Sequence, residues 1–232
     1  AASDVYKRQG TEQGFSAENW QTFAELGWLG VPFSEADGGF GGGAIETALM
    51  SEQFGRGLLI EPFLATVILA GGAIKHGGSE EQKSQYLPGI IDGSKHAALA
   101  FVEPQARFNI ADITTTATAD GDSYVLNGYK AVVLNGPQAD FLVVSARTSG
   151  EQRDEDGVSL FVMDAATAGI SRRDYPTVDA FRASEITFEN VKLGADSLVG
   201  EAGKGLPILQ QAIDDGVLSV GAEAVGLSLI HI

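Results

Sequence analysis

Apolar and polar residues alternate with two different periods along this chain, and the change of period divides it. Up to about residue 92 the spacing is helical. Ser16 is placed to cap a helix over about Ala17–Leu26, with Trp20, Phe23, Ala24 and Gly27 on one face and Gly27, Gly30 and Pro32 ending it. A second helix is predicted over Ala44–Arg56. After Pro62 comes LATVILAGGAIKHG, apolar on every side, which predicts a helix buried among other helices. Ser79 and Gln82 form a capping box that opens a fourth helix through about Ile91, closed by Gly93. The glycine-rich SEADGGFGGG lacks the Gly-Lys-Ser/Thr ending of a phosphate loop and follows no strand, so close packing against other backbone is the favoured reading.

From Ala97 the period becomes that of strands. Thr114, Thr116 and Thr118 alternate with Thr115, Ala117 and Ala119 as in a half-buried strand. Gly121-Asp122 reads as a turn. Ser123–Leu126 and Tyr129–Leu134 read as a hairpin about a type I′ turn at Asn127-Gly128. Phe141–Ser145, Val158–Met163 and Ser184–Glu189 extend an antiparallel set, and the polar SGEQRDEDG is expected to be a mobile loop. Helical spacing returns at about Lys204 with Leu206, Ile208, Leu209, Ala212, Ile213 and Val217. The prediction is an α+β chain. A helical domain over 10–95 precedes a small antiparallel β-barrel over 96–198, and a further helical domain begins over 199–226.

Charge and composition narrow the function. A formal net charge of −16 argues against nucleic acid or an anionic membrane as the main partner. The chain has no cysteine, which excludes disulfides and thiolate chemistry and agrees with a cytoplasmic setting. No apolar run is long enough to cross a bilayer. His76 and His96 have no spaced His or carboxylate partner, so no metal ligand is assigned. The two ends carry a separate signal. DVYKRQ back-translates to GAT GTG TAT AAG AGA CAG, whose reverse complement reads as LSLIHI, the last six residues. Residues 1–9 and 227–232 are therefore expected to derive from a sequencing adapter, with authentic protein over about Gly10–Gly226.

Several motifs carry a family resemblance: ALAFVEP, DGDSYVLNGYK, NGPQAD, VVSART, FRASEITFENVKLGADSLVGEAGKG and AEAVG. In this order, between two helical regions, they resemble the acyl-CoA dehydrogenases. EADGGFGGG, EPQAR and YPTVDAFRASEI resemble more specifically the subgroup of pimeloyl-CoA dehydrogenase small subunits. The resemblance implies FAD-dependent α,β-dehydrogenation of an acyl-CoA thioester, and the subgroup resemblance implies a dicarboxylyl chain. It also implies a homo- or hetero-tetramer with a large subunit, and an electron-transferring flavoprotein as acceptor. The family's usual base is a Glu of the last helical domain. No catalytic residue is therefore assigned here, and the chain alone is expected to be inactive.

The resemblance also points to Phe101, Val102, Arg107, Phe108, Val132, Val133 and Leu134 as cofactor-binding positions, where the sequence departs from the family pattern. Val102 stands where a Thr is usual, Arg107-Phe108-Asn109 replaces Gly-Ser-Asp, and Val132-Val133-Leu134 replaces Trp-Ile-Thr. Arg107 is either an anion partner for pyrophosphate or CoA, or one half of a structural ion pair. Glu103 is expected to be a loop element, Lys130 and Asp140 supports for the hairpins, and Arg182 a structural residue. Two readings stay open: an FAD-dependent enzyme subunit, and a non-catalytic, flavin-poor partner subunit.

Overall fold

The computed structural model describes residue 7, residues 10–179 and residues 181–229. Of the two end segments, residues 1–6, 8, 9 and 230–232 lie outside the described residues, while 227–229 continue the last helix. The helical part holds α1 (Ala17–Glu25), α2 (Ala44–Gly57), α3 and α4 (Glu80–Ile91). Helix α3 is wound as a π-helix over Leu64–Gly71 and continues as an α-helix over Gly72–Gly77. Ser16 caps α1 by accepting the Asn19 N–H at 3.2 Å. The box at Ser79 and Gln82 opens α4. Gln82 also donates from Nε2 to the carbonyls of Asp196 (2.7 Å) and Leu198 (3.0 Å), tying this cap to the sheet. The glycine-rich loop packs tightly, for a Cβ on Gly39 would lie 2.4 Å from the Phe33 carbonyl oxygen.

The sheet contains β1 (Ala97–Ala100), β2 (Thr116–Asp120), β3 (Ser123–Leu134), β4 (Phe141–Arg147), β5 (Val158–Asp164), β6 (Ile170–Pro176), β7 (Arg182–Gly194) and β8 (Leu198–Val199). Its order is β6-β7-β3-β2-β4-β5-β8, with β1 added beside β4. Three expectations are corrected here. The sheet is open rather than a closed barrel: β6 and β8 are unpaired edges among the described residues. Strand β8 has only two residues, and β6 carries Arg172, Arg173 and Asp174, features that blunt a sheet edge. It is also not wholly antiparallel, since β1 and β2 both run parallel to β4.

Third, Asn127-Gly128 is not a turn. It lies within β3, at a register shift between Leu126 and Gly128 in the pairing with β7. Gly128 has φ 152°, and a Cβ there would sit 2.5 Å from Thr115 Oγ1, so close strand approach requires the glycine. Asn127 Oδ1 accepts the Asn190 N–H across the pair at 2.8 Å. The hairpin turn is at Gly121-Asp122, where Asp120 pairs with Ser123.

Helix α5 (Leu206–Leu229) lies along α2 through small residues. A Cβ on Gly55 would fall 2.1 Å from the Glu223 carbonyl oxygen, and one on Gly226 would fall 1.9 Å from that of Glu52. The Ser51 and Ser219 hydroxyls meet at 2.8 Å. Leu209 is fully buried, and Leu206, Ile208 and Ile213 are partly buried against the helical core. The exposed large apolar positions of α5 are Val217 (67% exposed), Leu218 (38%), Val220 (47%), Val225 (52%) and Leu227 (37%). His76 binds Asp215 of α5 at 2.7 Å. His96 stacks on Trp20 at 5.0 Å, and burial holds its imidazole below the usual pKa.

Candidate functional site

Strand β1 delivers the chain into the loop 101–115, and one buried ion pair fixes that loop. Glu103 and Lys130 are both buried, with Nζ 2.7 Å from Oε1. Lys130 also donates to Ser145 Oγ at 3.1 Å. Glu103 Oε1 accepts the Thr115 N–H (3.1 Å). Its Oε2 accepts the Thr114 N–H (2.8 Å), the Thr114 hydroxyl and the Gln105 amide (2.9 Å). Burial alone would raise the Glu103 pKa; the Lys130 charge and these hydrogen bonds overcome it and hold the carboxyl at about 2. For Lys130 burial wins over the attraction of Glu103, and its ammonium is lowered to about 8.

A second hub clamps the far side of the loop. Buried Arg147, at the end of β4, donates to the carbonyls of Ala111 (2.7 Å), Asp154 (3.0 Å), Asp156 (3.0 Å) and Gln152 (3.1 Å). Asp112 accepts from Gln152 Nε2 at 2.6 Å and Arg153 Nε at 2.7 Å, and these contacts lower its pKa, the Gln152 bond most. The polar loop 149–157, expected to be mobile, is thus wrapped around one guanidinium.

Next to this loop β3 bulges. Its register with β7 shifts between Lys130 and Val133, and Val132 takes φ 37°. A β-branched residue is a genuine outlier at positive φ, a strain of the kind concentrated at ligand sites. The Ala131 N–H donates to the Val102 carbonyl at 2.9 Å and pins the bulge to the loop. Loop, bulge and α3 enclose a cavity of about 150 Å³, walled by Ala65, Leu69, Leu99, Phe101, Val102, Val132 and Leu134. Four of the seven predicted cofactor positions, Phe101, Val102, Val132 and Leu134, therefore meet in one place. Val133 does not join them: it is 1% exposed and packs in the sheet core on the other face, as strand alternation across the bulge dictates. Arg107 (φ 51°) and Phe108 (100% exposed) stand on the outside of the loop and line neither this cavity nor the larger one beside it.

That larger cavity has a volume of about 520 Å³ and shares Ala65 and Leu134 with the first. Its walls are mostly apolar and come from α2, α3, β3 and α5. Glu61 in its wall accepts from Asn19 Nδ2 (2.8 Å) and the Ile60 N–H (3.2 Å). Asn135 donates to Thr66 Oγ1 at 3.2 Å. Arg182 donates to the Glu12 carbonyl at 3.1 Å and to that of Thr11. Glu223 reaches it from α5, and burial raises its pKa.

The junction of helical part and sheet that forms both cavities is also where two family descriptions meet. "Acyl-CoA dehydrogenase, N-terminal domain" matches residues 2–94, and "Acyl-CoA dehydrogenase, middle domain" matches residues 98–191. The chain belongs to the acyl-CoA dehydrogenase family.

Relatives agree with this membership. The chain is 32% identical over 223 residues to the NADH-dependent acryloyl-CoA reductase of Anaerotignum propionicum, covering 94% of this chain and 56% of that protein. Butyryl-CoA dehydrogenase of Megasphaera elsdenii superimposes with a TM-score of 0.82 at 30% identity, over 91% of this chain and 57% of that one. An FAD complex of PigA superimposes with a TM-score of 0.88 at 29% identity, over 97% of this chain and 60% of that one. The chain thus spans 56–58% of the length of the first curated relatives it matches. Among the described residues no helix is long and apolar enough to cross a membrane.

Three functional features escaped the sequence reading. The Glu103–Lys130 pair joins residues 27 apart, and its signal was a lysine between apolar positions of a strand. Arg147 acts through backbone carbonyls, which no side-chain motif records. Glu223 sat within AEAVG, read as family pattern rather than as a carboxyl in a cavity wall.

Proposed function

We propose that this chain contributes to FAD-dependent α,β-dehydrogenation of an acyl-CoA thioester, with the reacting end at the small cavity and the acyl chain in the large one. The observation that carries this reading is the pair of apolar cavities sharing Ala65 and Leu134, one of them closed by the strained Val132. The residues fit the isoalloxazine of FAD in part. Phe101, Val102, Val132 and Leu134 give it apolar walls, but no side-chain donor for its polar edge, which leaves backbone N–H groups for polar contacts. Bound FAD supplies the acceptor for the β-hydride. The chain's own residues exclude water from the reacting carbons and hold the thioester end against Val132. All seven walls of the small cavity are apolar, so we assign the α-proton to a carboxylate outside the described residues. Glu103 is unsuited to that role, because its oxygens are committed to Lys130, Thr114 and Thr115.

A dicarboxylyl chain is the finer form of this reading and the less favoured. The large cavity offers its second carboxylate one guanidinium, Arg182, among the carboxyls of Glu61, Asp179 and Glu223. A large partner subunit in a heterotetramer, an electron-transferring flavoprotein as acceptor and a cytoplasmic setting complete the proposal. The second reading, a flavin-poor partner subunit, is favoured by one observation: the four cavity positions carry no hydroxyl or amide side chain. Flavin content separates the two. The enzyme reading expects the purified protein to retain or take up one FAD per chain and to quench its fluorescence. A folded, colourless protein that leaves added FAD fluorescent would sink it in favour of the partner reading.

A further inference from the structure

The large cavity holds one group that the dehydrogenation does not use. Glu223 lies in its wall with Ser219, Val220 and Leu227, on one face of α5. Its neighbours Glu61 and Arg182 have hydrogen-bond partners, but among the described residues the Glu223 carboxyl has no hydrogen bond or ion pair. Its backbone is fixed, because the Glu223 carbonyl lies so close to Gly55 that a Cβ there would be 2.1 Å away. A half-buried carboxyl facing apolar side chains is costly to desolvate, and an apolar residue in its place would be the more stable choice. Burial raises its pKa, with no charge or hydrogen bond opposing the shift. Such a group gains from a ligand that brings it a hydrogen-bond donor and loses from one that brings a second negative charge.

We propose that Glu223 is the specificity-determining residue of the large cavity, selecting an apolar chain that carries a hydrogen-bond donor, a hydroxyl or an ammonium, over one that carries a carboxylate. The cavity supplies apolar contact along the chain, and the carboxyl supplies the one polar contact that an unsubstituted chain leaves unmade. The inference rests on the acyl-CoA reading only for the identity of the rest of the ligand.

The test uses short probes without CoA: 1-octanol, octylamine and octanoate, titrated calorimetrically into the wild-type chain, Glu223→Gln and Glu223→Leu. For the wild type we expect octanol or octylamine to bind about tenfold more tightly than octanoate, the worth of one buried hydrogen bond. Glu223→Leu should erase that preference. Glu223→Gln, which keeps shape and hydrogen bonding but loses the charge, should keep the preference for octanol and lose any for octylamine. Circular dichroism melts confirm that each variant is folded. Equal affinities for the three probes in the wild type, or a preference unchanged in Glu223→Leu, would overturn the proposal. Failure of the chain to take up FAD, with the octanol preference intact, would sink the dehydrogenase reading and leave this one standing.

Discussion

Replacing Lys130 by Met removes the ammonium from a carboxylate that has no route to water. In the folded protein the Glu103 pKa falls from its ordinary 4.5 to about 2, which at about 1.4 kcal/mol per unit corresponds to about 3 kcal/mol. Burial lowers Lys130 from 10.5 to about 8, so desolvation of the ammonium opposes that gain, as is common for buried pairs. Breaking it is different. Lys130→Met leaves the buried Glu103 with its bonds from Thr114, Thr115 and Gln105 but no counter-charge, and the loss should be about 3 kcal/mol, the lower end for a broken buried pair. The double variant Glu103→Leu/Lys130→Met should recover most of it.

The pH dependence sharpens the test. A depressed folded pKa means that the wild type holds Glu103's contribution above about pH 4.5 and loses it as pH falls through about 2. In Lys130→Met, burial dominates and raises the Glu103 pKa above its unfolded value. That variant should then gain stability on acidification from neutral pH, the opposite slope. Urea unfolding followed by tryptophan fluorescence across this pH range measures both. A loss under about 1 kcal/mol, with the wild-type pH slope retained, would refute the reasoning.

Further outcomes follow from packing. Gly226→Ala puts a methyl where 1.9 Å separates it from the Glu52 carbonyl oxygen, and should cost about 2 kcal/mol in thermal unfolding by pushing α5 off α2. Gly128→Ala meets both a φ of 152° and Thr115 at 2.5 Å, and should cost a similar amount, about 2 kcal/mol. Arg147→Ala should free the loop 149–157, so that the Ile113 amide, bonded to the Gln152 carbonyl at 3.0 Å, exchanges hydrogen at least tenfold faster, while β4–β5 amides stay protected.

Much of this architecture was legible in local chemistry. Ser16 and the Ser79/Gln82 box set helix starts because a side-chain oxygen must satisfy free N–H groups there. The all-apolar segment after Pro62 could only be buried, and α3 lies at the centre of the helical core. Non-local contacts were not legible. Asn127-Gly128 has the composition of a hairpin turn, but the approach of Thr115 from the neighbouring loop uses the glycine for a bulge. Strand β6 was missed because its Ser-Arg-Arg-Asp stretch has the polarity of an edge rather than the alternation of a half-buried strand. At the site, Phe101, Val102, Val132 and Leu134 line one cavity, whereas Val133 turns to the other face and Arg107 and Phe108 stay outside. The divider was the bulge at Val132, a backbone event set by the pin between Ala131 and Val102.

The central claim is that the paired cavities receive an acyl-CoA, and calorimetric titration of octanoyl-CoA tests it most directly when run on the wild type and on Leu134→Arg, which puts a charge into the wall common to both. The account predicts binding with a negative heat-capacity change in the wild type, reduced at least tenfold in the variant, with CoA alone binding weakly to both. Equal affinity in a folded Leu134→Arg, or CoA alone binding as tightly as its octanoyl thioester, would contradict it.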